Sequence, residues 1–183
     1  VSEGVRDDLI EKGVKKDKTM VIYNPAFTEP KLSKVDLPED AISWSQYLGT
    51  KIIAVANFKT QKNYPNLIRS MEILKKDKKI ECKLLIVGDG PRRSEIEELI
   101  LEKSLNNDIC LLGQYSYPLN LVNLADIFVL PSDFEGFGLV IVEALSLGKT
   151  VVSTDCKSGP AEIIGNNEYG YLCKVDDSKD LAR

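Results

Sequence analysis

The sequence contains no histidine. That absence removes the Ser-His-Asp and Cys-His hydrolases from consideration. Any general acid or base must then be a carboxylate, a lysine, a tyrosine or a group on the ligand. It also leaves Cys82, Cys110, Cys156 and Cys173 without a histidine to complete a zinc site, and no two of them form a CxxC pair. The four read as reduced, mostly buried thiols of a cytosolic protein, with a disulfide framework as the alternative. No apolar run approaches the length that spans a bilayer: the longest, around residues 127–130 and 139–147, are interrupted by charge or glycine. No signal peptide is expected at Val1. A basic surplus is also lacking. With a net charge of −4 and both signs interspersed, there is no basic face to displace counterions from phosphates, so nucleic acid is not an expected partner.

What remains is an ordinary globular composition, 43% hydrophobic and 28% charged over 183 residues, enough for one well-packed core. From Lys51 onward, short β-rich runs alternate with amphipathic segments of helix length, which predicts an α/β fold with a parallel sheet. The expected strands are residues 19–23, 51–56, 82–87, 108–112, 127–130 and 150–153, each bounded by Gly, Pro, Asn or Asp. Tyr64, Leu67, Ile68, Met71 and Leu74 recur at steps of three and four and give one helix its apolar stripe. A second helix is expected after Gly90, with Pro91 near its first turn, acidic Glu95, Glu97 and Glu98 early, and Ile96, Leu99 and Ile100 facing inward. Residues 1–12 read as a short helix capped by Ser2 and stopped by Gly13. Another helix is expected to open at Ser178. Residues 27–48, with the lone Trp44, break the rhythm and are expected to form a loop and a short helix over one edge.

The most informative stretch is Pro131-Ser132-Asp133-Phe134-Glu135-Gly136-Phe137-Gly138-Leu139-Val140-Ile141-Val142-Glu143-Ala144-Leu145, directly after an expected buried strand. In an open α/β sheet, ligands bind where loops leave the carboxyl ends of strands, which puts Glu135 at a ligand mouth. Gly136 and Gly138 strip side chains from the backbone just before the helix, leaving free amides and the positive dipole end for a phosphate. Glu143 lies on a helix that is otherwise apolar. A buried carboxylate without donors costs several kcal/mol, and the two vicinal hydroxyls of a ribose would supply them. Pairing with a lysine, or capping a neighbouring loop, is the alternative.

This stretch resembles the E-x7-E motif of the retaining glycosyltransferases of family 4, whose GT-B architecture sets two Rossmann-like domains face to face. Further segments agree in order. Val1-Ser2-Glu3-Gly4-Val5 with Ile22-Tyr23-Asn24-Pro25 resembles the family's crossing into its C-terminal domain, and Val87-Gly88-Asp89-Gly90-Pro91 its V-G-x-G-P turn. Leu112-Gly113, Ala125-Asp126 through Pro131-Ser132, and Ala144-Leu145 through Gly148 to Val151-Val152 also match. The resemblance covers essentially the whole chain. It implies a Rossmann-like parallel sheet with helices on both faces, the C-terminal half of a GT-B fold. Residues 1–24 would hold the interdomain crossing and first strand, and residues 25–183 the nucleotide-sugar-binding domain, with the N-terminal acceptor domain absent from this chain.

The resemblance further implies that Glu135 contacts the donor hexose and Glu143 the ribose. Backbone amides of Phe137, Gly138 and Leu139 would meet the sugar and diphosphate. Lys62 would neutralise the diphosphate, where electrostatic stabilisation is usually the largest catalytic term; a solvated lysine is the alternative. Many members carry an arginine where this chain has Asn57, leaving Lys59, Arg92 or Arg93 as substitute cations. Gly88, Asp89 and Gly90 form either a tight turn or a nucleotide contact, and Gly113 and Gln114 stand where the family holds the base. Thr154-Asp155-Cys156-Lys157-Ser158-Gly159-Pro160-Ala161-Glu162-Ile163-Ile164 resembles a version of the late Gly-rich turn associated with bacterial enzymes that use UDP-sugars on surface polysaccharides. Glu162 itself suits the first turn of a short helix. With no D-x-D sequence, no metal and no cofactor are expected. The implied activity is transfer, with retention, of a hexose or N-acetylhexosamine from a nucleotide-sugar, a UDP-sugar by this resemblance, to a glycan or lipid-linked acceptor. The full enzyme would work in the cytoplasm, with peripheral association at the inner membrane face, and this half alone would bind donor without turnover. A nucleotide-binding regulatory module and a nucleotide-sugar epimerase of the same architecture are the alternatives.

Overall fold

The computed structural model describes residues 2–25, 32–165 and 167–183. Six strands, β1 (Thr50–Val55), β2 (Cys82–Val87), β3 (Ile109–Gly113), β4 (Ile127–Leu130), β5 (Thr150–Thr154) and β6 (Tyr171–Cys173), form one sheet. Its order is β3-β2-β1-β4-β5-β6 with every neighbouring pair parallel, a doubly wound Rossmann-like arrangement. The helices are α1 (Glu3–Glu11), α2 (Glu39–Ser45), α3 (Tyr64–Glu72), α4 (Arg93–Glu102), α5 (Pro118–Val122), α6 (Leu139–Ser146), α7 (Pro160–Ile164) and α8 (Ser178–Leu181). None among the described residues is long and apolar enough to cross a membrane.

Strand alternation divides the core between two faces. Ile52, Ala54, Leu84 and Ile86 pack with Tyr64, Leu67, Ile68 and Met71 of α3 and with Ile96 and Ile100 of α4. Ile53, Leu85, Phe128 and Val151 look the other way, onto Trp44 of α2, Leu121 of α5, Ile141 of α6 and Ile164 of α7. Each large side chain fully withdrawn from water here contributes about 1.5–3 kcal/mol. The apolar runs expected of two-face burial therefore form β1 to β5. The expected helix stripe is the buried face of α3, which Asn63 caps by accepting the Asn66 amide and which runs on as a π-helical turn, Ile73–Asp77.

One expected strand does not form. Residues 19–23 are not part of the sheet, and Met20 and Ile22 are 79% and 70% exposed. A β-rich run becomes a strand only beside a free edge, and the edges of this sheet are β3 and β6. Residues 1–24 thus contain α1 and an extended segment among their described residues, without the first strand expected there. Strand β6 and helix α5 were not expected; with three and five residues, each is too short to show a period. Ser2 caps α1 as expected, accepting the Val5 amide, and Gly13 follows at φ +96°. Of the loop and helix expected over 27–48, residues 27–31 lie outside the described residues; the helix is α2, where Trp44 Nε1 donates to Lys83 O at 3.3 Å.

The sheet opens at its centre. β1 pairs with β2 along its full length, Thr50↔Cys82 to Val55↔Val87, but with β4 only at Ile52↔Ile127 and Ile53↔Phe128. Beyond these pairs β1 and β4 part, so the crevice lies where strand order reverses. On the other side of β1 the strand ends are tightly joined. Gly88, at φ +148°, donates its amide to Gly113 O at 2.9 Å, and a Cβ on it would lie 2.0 Å from Ala56 O. Gly88→Ala is therefore expected to destabilise the chain by at least about 2 kcal/mol, seen as a lower Tm in thermal melts; an unchanged Tm would show that the three strand ends are not joined this way.

Candidate functional site

Both loops that leave the crevice carry expected site residues. After β1, a 3₁₀ turn (Thr60–Lys62) ends at Asn63, which adopts φ +40° and opens α3. After β4, residues 131–138 run to Gly138, the N-cap of α6 at φ +94°. The loops are stitched together across the crevice: Asp133 N donates to Gln61 O at 2.8 Å, and Asn63 Nδ2 to Asp133 Oδ1 at 2.6 Å. Lys62 Nζ reaches Glu135 Oε1 at 2.5 Å, with side-chain exposures of 16% and 9%. The fully buried Ser132 donates its hydroxyl to the same oxygen at 2.7 Å. Two residues expected to meet different parts of a donor thus hold each other. Glu135 Oε2 has no protein donor among the described residues, which leaves it free to accept a hydroxyl.

The next residues form a row of donors. The amides of residues 136–140 find no protein acceptor among the described residues, and the first backbone bond beyond them is Ile141 N to Gly138 O at 2.8 Å. Free amides ahead of a helix of eight residues can receive an anion, and those of Phe137, Gly138 and Leu139 are among them. One turn further on, Glu143 is half-buried, and its carboxylate has no hydrogen bond or ion pair among the described residues, neither a lysine nor a loop amide. Burial pushes its carboxyl above the usual carboxylate value, with nothing opposing.

The remaining expected residues surround the carboxyl ends of β1, β2 and β3. A cleft of about 330 Å³ there is lined by Asn57, Gly88, Gln114, Tyr115 and their neighbours, and Gly113 lies at its β3 side. Gly88 forms the tight turn and also lines the cleft. Among the substitute cations, Arg92 is turned to Glu95. Arg93 comes closest to the cleft: it donates to Glu97 at 2.7 Å, lies 3.5 Å from Asp89, and its Nη1 is 3.6 Å from where a Cβ on Gly113 would sit. Lys59 is exposed. No group of three or more His, Cys, Asp or Glu among the described residues could hold a metal ion.

Sequence reasoning passed over the hydroxyls that hold the loop. Ser132, Ser158 and Ser2 bond Glu135 Oε1, Glu135 O and Gly136 O, each at 2.7 Å. A serine carries no periodic signal, and only its position beside a motif could have marked it.

Comparison with known proteins agrees with this geometry. Residues 48–183 match the family model described as glycosyl transferases group 1. Among curated relatives, N-acetylgalactosamine-N,N'-diacetylbacillosaminyl-diphospho-undecaprenol 4-alpha-N-acetylgalactosaminyltransferase of Campylobacter jejuni is 31% identical over 98% of this chain and 47% of its own length. Lipopolysaccharide 1,6-galactosyltransferase of Escherichia coli is 31% identical over 97% and 48%. The chain thus spans about half the length of these relatives. Among solved structures, a glycosyltransferase from Rickettsia africae superposes with a TM-score of 0.82 at 25% identity, over the whole chain and 50% of its own. Anabaena HepE, solved with UDP and glucose, gives 0.78 at 26% identity over 99% and 50%. With three quarters of its length matched by the family model and a superposable fold, the chain belongs to the glycosyl transferases group 1 family.

Proposed function

We propose that this chain is the donor-binding half of a retaining glycosyltransferase that uses a UDP-sugar in the synthesis of a cell-surface glycan. One observation carries the reading: Glu143, a half-buried carboxylate with no protein partner among the described residues, stands one turn from a row of amides that find no acceptor among them. A nucleoside diphosphate satisfies both at once, its ribose hydroxyls donating to Glu143 and its phosphate oxygens accepting from the amides. The uracil and ribose would extend toward the cleft at Asn57, Gly88 and Gln114. That Anabaena HepE was solved with UDP and glucose supports this choice of nucleotide.

In this reading Lys62 has two states. Without donor it neutralises Glu135; with donor it faces the β-phosphate and stabilises the charge that builds as the glycosidic bond breaks. Glu135, held by Ser132 and with Oε2 open, orients the hexose hydroxyls. The acceptor hydroxyl attacks the oxocarbenium-like carbon from the side the diphosphate leaves, so configuration is retained, and the departing phosphate oxygen takes the acceptor proton. No metal is needed for this step. A facing domain, supplied by the rest of the protein, would bring the acceptor and exclude water. The names of the Campylobacter and Escherichia relatives favour a lipid-linked or lipopolysaccharide acceptor and hence work at the cytoplasmic side of a membrane.

Calorimetric titration tests the division of roles. Glu143→Ala is expected to weaken UDP binding roughly tenfold or more, the scale of a hydrogen-bond pair to a charged group. Glu135→Gln is expected to spare UDP and weaken only a UDP-hexose, by about tenfold. Equal losses for both ligands in both variants would defeat the assignment, and failure of the unaltered chain to bind any nucleotide at millimolar concentration would defeat the reading.

Glu143 also makes a prediction about stability. Its folded-state pKa lies above its unfolded value, so folding disfavours the ionised form. Stability is therefore complete below the ordinary carboxylate pKa and falls as pH rises through the raised folded value. Glu143→Gln is expected to raise Tm at about pH 7 while losing UDP affinity, with the Tm gain disappearing below about pH 4. A Tm gain independent of pH would place the effect elsewhere.

A further inference from the structure

Glu162 was noted in the sequence for its place in a Gly-rich turn, and no donor contact uses it. Its carboxylate nevertheless joins two segments far apart in sequence. From α7, Oε2 accepts the Glu3 amide at 3.0 Å and Oε1 the Gly4 amide at 3.1 Å, so the side chain caps the first turn of α1. Tyr23 adds its hydroxyl at 3.2 Å. Burial pushes the carboxyl up, but the amides of Glu3 and Gly4, the Tyr23 hydroxyl and the Gly159 amide together hold it below its usual value.

Both joined segments lie against the loop before α6. The α7 side supplies Ser158, whose hydroxyl donates to Glu135 O at 2.7 Å, and Gly159, where a Cβ would come within 2.2 Å of Phe137 O. The α1 side supplies Ser2, whose hydroxyl donates to Gly136 O at 2.7 Å. Tyr23 lays its ring against Phe137 with centroids 5.7 Å apart. Peptide planarity converts these contacts into aim. In a trans peptide the carbonyl of one residue and the amide of the next point in opposite directions, and no cis bond occurs among the described residues. Holding Glu135 O on Ser158 turns the Gly136 amide away from α7. Holding Gly136 O on Ser2 turns the Phe137 amide away from α1. Two of the amides without a protein acceptor are thus oriented from behind, by hydroxyls whose own segments Glu162 ties together.

We propose that Glu162 is a positioning residue of the donor site: by fastening α1 to α7 it fixes the peptide planes that carry the Gly136 and Phe137 amides, and so aims that of Phe137, one of the amides assigned to the diphosphate. The inference rests on the donor reading of that loop, but its structural half does not need a ligand. It also gives α1 and the Tyr23 segment a role, since a displacement of either acts directly on the loop.

The test combines ¹⁵N relaxation of the full chain with titration by UDP and by uridine, which lacks the diphosphate. In Glu162→Ala, the amides of residues 136–138 are expected to fall from rigid-backbone order, about 0.85, to below about 0.6, while those of α7 stay unchanged. UDP affinity should fall about tenfold and uridine affinity should not change. Ser2→Ala should loosen the same amides without touching α7, and Glu162→Gln, which keeps one acceptor oxygen, should lie between Glu162→Ala and the unaltered chain. Loop order unchanged in both Glu162→Ala and Ser2→Ala, or equal losses for UDP and uridine, would overturn the role. If the unaltered chain binds neither ligand, the donor reading fails by itself and the relaxation data alone decide whether Glu162 sets the loop.

Discussion

The parting of β1 from β4 is the constraint on which the rest of this structure depends. A doubly wound sheet must send its crossovers to opposite sides at one place, and here that place is marked by a pairing that ends at Ile53↔Phe128 while β1 stays joined to β2 as far as Val55↔Val87. Loops leaving the two strands are thereby brought face to face above an open crevice. Everything assigned to the donor lies on those loops or on the helix and strand ends next to them. The flanking strands are closed off instead, through the Gly88 amide on Gly113 and the approach of Gly88 to Ala56 that only a glycine permits.

Around this crevice the chain holds several polar groups in conditions that do not favour folding. Among the described residues, the Glu143 carboxylate is partly desolvated with no partner, a row of amides has no acceptor, and Lys62 and Glu135 occupy one another in a site where each is assigned a ligand contact. A protein optimised for stability alone would place an apolar residue at position 143, as it does around it. Such groups are tolerated because the scaffold beneath is well packed on both sheet faces. The loop is itself hydrogen-bonded: Ser132 donates to Glu135 Oε1, Ser158 to Glu135 O and Ser2 to Gly136 O.

The legible part of the fold was the part with a period. Two-face burial wrote β1 to β5 as apolar runs, and the stripe from Tyr64 to Met71 wrote α3. Strand β6 and helix α5 were too short to repeat, and residues 19–23 have strand composition but take no place in the sheet. At the site, the loop and helix from Glu135 to Glu143 stood out because glycines and a carboxylate are unexpected before and within an apolar helix. Sequence could not show that Lys62 and Glu135 meet, since 73 positions separate them. Nor could it show that Glu162 caps a helix 158 positions away. The first contact follows from the sheet order, which sets β1 beside β4.

The central claim is that the open amides and the unpartnered Glu143 are two halves of one nucleotide-diphosphate seat. A crystal structure of the chain saturated with UDP tests it most directly. The β-phosphate is expected within hydrogen-bond distance of the amides of Phe137, Gly138 or Leu139, with the ribose hydroxyls on Glu143 and Lys62 turned from Glu135 toward the phosphate. UDP bound elsewhere, or a ribose that leaves the Glu143 carboxylate without a partner, would contradict the claim.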